Sequence, residues 1–161
     1  MKYLLIFLLI VFSFSCTEAK PPQPTGNQSS FSFAFLTDIH LNKGDNGCFE
    51  GFEKAIESAK NSGADFLMTG GDNVDIDVLG NDAKTAHELF GRLAKTIEKS
   101  NIPFYLTLGN HDRFWGTEKN DPLYNEGLFE HYIDKSYYSF NQKGWNFIVL
   151  NTTPTFNKHY C

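Results

Sequence analysis

Three short clusters in this chain carry side chains able to do chemistry: Asp38-Ile39-His40, Gly70-Gly71-Asp72 and Gly109-Asn110-His111-Asp112. Together they offer carboxylates, imidazoles and a carboxamide. Mixed oxygen and imidazole donors suit manganese, iron, zinc or nickel better than calcium, and no thiolate stands among them to select a softer ion. An imidazole, with an ordinary pKa of about 6.5, can also deliver or accept a proton near neutral pH. Each cluster alone occurs by chance in turns and loops. Their shared position in the chain is what gives them weight.

Each cluster ends an apolar run. Residues 31–37, 65–69 and 103–108 read as strands, the first apolar nearly throughout, as expected for a strand buried on both faces. Between them lie helical patterns. Phe49, Phe52, Ile56 and Ala59 recur three or four apart and meet a left-handed stop at Gly63. Leu89, Phe90, Leu93 and Ile97 share a second face, with Asp82 as N-cap and Pro103 beyond its end. Asp72 follows Asp38 by 34 positions and Asn110 follows Asp72 by 38, enough for a helical crossover and return each time. The pattern predicts βαβ units with a parallel sheet whose carboxyl edge gathers the three clusters, the edge where open α/β sheets bind ligands. Farther on, Leu128, Phe129 and Tyr132 mark a short helix within residues 123–134. Runs at 137–140 and 145–150 then flank Asn141-Gln142-Lys143-Gly144, a hairpin signal.

The ordered set Asp-x-His, Gly-Asp, Gly-Asn-His-Asp resembles the signature of the calcineurin-like metallophosphoesterase family, over roughly residues 31–150. The resemblance implies an α/β fold of βαβαβ units, a mixed sheet or β-sandwich flanked by helices, with its C-terminal part missing here. It implies metal-dependent hydrolysis of phosphoric mono- or diesters by a metal-activated water. Asp38 and His40 would bind one ion, Asp72 would bridge two, and Asn110 would bind the second. His111 would stand beside them as general acid, with Asp112 holding its ring. The residue types suit that task, because two cations about 3.5–4 Å apart need a shared anionic ligand such as Asp72. Neutral Asn110 and neutral histidines preserve a positive surplus for the phosphate ester.

The family completes its metal pair with later Gly-His and Gly-His-x-His motifs, which are not found here; Asn151 also stands where the family often has Asp. This chain is therefore expected to hold only one of the two divalent ions, and to be part of a longer enzyme or the product of a truncated gene. The alternative function is an inactive remnant serving as a binding or interaction module. Gly70, Gly71 and Gly109 fit a backbone that must turn sharply beside metals.

Other residues receive ordinary readings. His87 and His131 read as core or surface histidines. Asp45, Asp75 and Asp77 could line the cleft but read first as solvated loop carboxylates, and Trp115 reads as a packing aromatic or the wall of a substrate pocket.

Lys2, an apolar run of 12 residues at 3–14, and Ser15-Cys16 compose an export signal too short to span a bilayer, which takes about 20 residues. Ser13-Phe14-Ser15-Cys16 resembles a bacterial lipoprotein cleavage box, so Cys16 is expected to carry a lipid. Residues 1–15 are then the signal peptide, 16–30 the lipidated cysteine and a Pro/Gly/Ser-rich tether, and 31–161 the incomplete domain. The protein is expected outside the cytoplasm, membrane-anchored, or secreted if Cys16 bears no lipid. Of the three cysteines, Cys48 and Cys161 have no assigned role. Hydrophobic residues at 41% and charged residues at 20% suit a folded core, and a net charge of −5 gives no general attraction to nucleic acid.

Overall fold

A computed structural model of the chain describes residues 30–79, 82–152, 155–156 and 159–160. The signal peptide and nearly all of the tether, with Cys16, lie outside the described residues, as does Cys161. Strands β1 (Phe33–Leu36), β2 (Phe66–Thr69) and β3 (Phe104–Tyr105) form a parallel sheet in that order. Its register pairs Phe33 with Phe66 and Leu67 with Phe104. Helices α1 (Asn46–Asn61) and α2 (Ala83–Ser100) are the crossovers. Both begin on a side-chain cap: Asp45 accepts from the Gly47 N–H and Asp82 from the Thr85 N–H. Asp45, read from sequence as a solvated loop carboxylate, is thus the cap of α1.

The sheet has two unlike faces. Ala34, Leu36 and Leu67 face the helices, where Phe49, Phe52, Ile56, Leu89, Phe90 and Leu93 close the main core. Each of these fully buried large side chains contributes roughly 1.5–3 kcal/mol. The alternate residues Phe33 and Phe66 stack on the opposite face and meet Phe147 edge-on. Phe147 belongs to the antiparallel hairpin of β4 (Tyr138–Gln142) and β5 (Trp145–Val149), which follows α3 (Gly127–Tyr132). Its turn is Lys143-Gly144, at φ 47° and 88°, the left-handed pair that suits a two-residue hairpin. Lys143 Nζ bonds Asp65 Oδ1 at 2.7 Å and the Ser30 carbonyl at 3.2 Å, tying the turn to the amino end of the sheet.

Two expectations need correction. Strand β1 is not buried on both faces: Phe33 is 42% exposed even with Phe147 edge-on to it, and Phe35 is 56% exposed. After β5 a further antiparallel pair appears, β6 (Thr155–Phe156) with β7 (His159–Tyr160), where the sequence offered no element. Among the described residues no helix is long and apolar enough to cross a membrane.

Candidate metal centre

The loops that follow β1, β2 and β3 are joined to one another by main-chain bonds. Asp38, His40 and Leu41 donate to the carbonyls of Gly71, Asp72 and Asn73, and Ile76 donates to that of His111. Three residues of this rim, Asp38, His40 and Asp72, lie in the left-handed region at φ 54°, 49° and 52°. Such a conformation costs an L-residue roughly 1–2 kcal/mol, and strain of this kind collects at functional sites. The loops also cross at their glycines. A Cβ on Gly71 would stand 2.8 Å from the Gly109 Cα, and one on Gly109 would overlap the Asp72 backbone nitrogen and Oδ1. Only glycine permits that approach.

This crossing brings His40, Asp72 and His111 together, each offering one donor atom within 4.8 Å of the others. The two imidazoles meet edge to face at 4.7 Å. The His111 N–H donates to Asp72 Oδ1 at 2.9 Å, which fixes the carboxylate. Asp38 stands beside the group, Oδ1 3.9 Å from His40 Nε2, while its Oδ2 accepts from the Thr37 hydroxyl. Asn110 is half-buried between Gly109 and His111, on the loop that crosses the second one.

The ring of His111 has a different partner from the one expected. Its Nδ1 lies 2.7 Å from Asp77 Oδ1 and 3.2 Å from Asp75 Oδ1. Asp112 does not hold it. That carboxylate is fully buried, accepting from Val74 N, Gly109 N and Asn73 Nδ2, each at 2.8 Å, and so clasps the second loop to the third. Asp75 and Asp77, read from sequence as solvated, are a second group around His111. The signal for them was their place three and five residues past Asp72 on the same loop. Burial pushes the Asp112 carboxyl up to about 6, against the donors that favour its ionised form. Burial also opposes a charged His111, yet the Asp77 bond and the charges of Asp77, Asp72 and Asp75 outweigh it and raise the imidazole above its ordinary value.

Sequence reasoning also passed over Arg113. It is 2% exposed and donates to Asn125 Oδ1 at 2.7 Å and Asn151 Oδ1 at 2.8 Å. Asn151 in turn donates to the Ser136 hydroxyl, so it ties the end of β5 to the third loop. His87 bonds the Tyr132 hydroxyl and Trp115 packs edge-on to Tyr124, as their ordinary readings held.

The sequence model of calcineurin-like phosphoesterases matches residues 31–160. The chain belongs to that family. No curated protein sequence matches it. Calcineurin-like phosphoesterases are hydrolases that use divalent metals, and the donors gathered here fit such an ion. Imidazole and carboxylate converge from separate strand ends, and no Lys or Arg pairs with Asp38, Asp72, Asp75 or Asp77 among the described residues. The calcineurin-like resemblance also explains the order of the clusters, since each occupies the carboxyl tip of a successive parallel strand.

Proposed function

We propose that this chain is an exported, lipid-anchored phosphoesterase that hydrolyses phosphoric mono- or diesters at the rim formed by Asp38, His40, Asp72, Asn110 and His111. The observation that carries this reading is the convergence of His40 and Asp72, both on left-handed backbone, with His111. Asp38, His40, Asp72 and Asn110 would hold the ion, and they suffice for one better than for two. A bound manganese, iron, zinc or nickel ion supplies an acidified water and positive charge for the phosphoryl oxygens. His111, its Nδ1 engaged by Asp77, keeps Nε2 as the nitrogen from which a proton reaches the leaving oxygen. Asp77 fixes the ring's orientation, and the His111 N–H keeps Asp72 turned into the rim.

The charged, apolar and small-residue order of residues 2–16 supports export and a lipid on Cys16, with the residues up to Ser30 as tether. Replacing Cys16 with Ser should release the protein from the membrane fraction.

The direct test measures bound metal and hydrolysis of bis(p-nitrophenyl) phosphate together. The chain should bind a transition ion and turn the ester over, and Asp72→Asn should cost at least about a hundredfold in both. A metal-free chain without turnover would overturn the reading. The small donor set gives a second reading, a binding module that keeps one ion; one bound ion without turnover would favour it.

A further inference from the structure

Away from the metal rim, a cleft of about 430 Å³ lies between the last turns of α2, strand β3, the end of α3 and strand β4. None of its lining residues belongs to the three ligand-bearing clusters. Tyr105, Tyr132, Tyr138 and Phe140 form its aromatic walls, and its only charged lining residues are Glu98 and Asp134. Its size falls within the roughly 300–1,000 Å³ of small-molecule sites.

We propose that this cleft binds a small organic cation, an amine or quaternary ammonium with an apolar body. Three features favour positive charge. Glu98 and Asp134 form no ion pair with a Lys, Arg or His among the described residues, and no basic side chain lines the cleft. Glu98 lies in the last turn of α2, where the helix carbonyls add negative potential. Aromatic rings attract cations through their faces, as in aromatic cages for quaternary ammonium groups; Phe140 is stacked on Tyr105 and Phe147, so Tyr132 and Tyr138 are the rings that serve this role. An anion would meet the opposite of each.

The walls are also held before any ligand arrives. The Tyr138 hydroxyl donates to the Leu106 carbonyl at 3.0 Å, Phe140 stacks on Tyr105, and Tyr132 stacks on Phe90 while its hydroxyl meets His87. Rings fixed by one another, by Leu106, and by Phe90 and His87 behind the cleft lose little freedom on binding. The Asp134 charge is felt inside: after burial, it is the next cause raising the Tyr138 phenol above its ordinary value.

Titration of the full chain with phenyltrimethylammonium, followed by calorimetry and tyrosine fluorescence, tests the proposal. Saturable binding is expected, weakened at least about tenfold by the double variant Glu98→Gln/Asp134→Asn. Both side chains are exposed, and circular dichroism would confirm that the variant keeps its fold. The neutral isostere tert-butylbenzene should bind at least tenfold more weakly than the cation. Equal binding of cation and isostere would make the cleft an apolar docking groove and overturn the proposal. So would an unchanged affinity in the double variant, or no saturable binding by the parent chain. The metal rim supplies none of these contacts, so its loss through Asp72→Asn should leave the titration unchanged.

Discussion

The rim and the hairpin are held by different means. The rim is polar, its loops joined through backbone bonds, the Asp112 clasp and the Gly71–Gly109 crossing. The hairpin rests on the sheet through stacked and edge-on rings, Phe147 and Phe140 against Phe66 and Tyr105, and leaves Ile148 71% exposed. Directional bonds set positions to tenths of an ångström, whereas aromatic packing supplies energy and tolerates sliding. Chemistry needs the first kind of support, and the hairpin relies chiefly on the second, with Lys143 and Tyr138 adding a few directional bonds.

The largest expected effect separates the two kinds. Phe66→Ala removes a buried ring shared by sheet and hairpin, and should cost about 4 kcal/mol in urea unfolding while the surviving native fraction still binds metal. Equal loss of metal affinity in that native fraction would show that the regions are not separate. Gly109→Ala attacks the rim instead. Its Cβ must displace Asp72, so about 3 kcal/mol of stability should go together with metal affinity, seen by calorimetry.

A smaller effect concerns pH in the metal-free protein. Asp112, at about 6 in the fold and 3.8 as its ordinary value, binds its proton more tightly when folded. Its contribution is present below 3.8 and is lost as pH rises through about 6. His111 has the same sign: its pKa is raised, so its contribution is present below 6.5 and is lost as pH rises through the folded value. Metal-free stability should therefore fall between pH 5 and 8, by about 1 kcal/mol from Asp112 alone. Asp112→Asn should flatten that slope. The smallest effect is a gain: at Gly51, exposed in α1 with nothing within 4 Å of an added Cβ, Ala should stabilise by about 0.5 kcal/mol without touching the rim.

Much of this was legible in the residues themselves. Both crossover helices, the Asp82 cap and the Lys143-Gly144 turn follow from spacing and backbone preference within a few residues. The gathering of His40, Asp72 and His111 followed from strand order. The partner of His111 did not, because it depends on how the chain folds back beyond Asp72 into the 3-10 turn Asp77–Leu79. Adjacency pointed to Asp112, but the backbone carries that side chain inward, toward Val74 and Gly109. The exposure of Phe35 was equally hidden, since an apolar residue does not announce how far a distant hairpin extends.

Gly71 and Gly109 touch main chain to main chain, so the gap between the second and third loops is gauged by atoms that no side-chain replacement elsewhere can alter. On the proposed function, exchanging Asp38 or Asn110 for another donor would change how strongly an ion is gripped while the spacing of the two loops stays as the glycines set it.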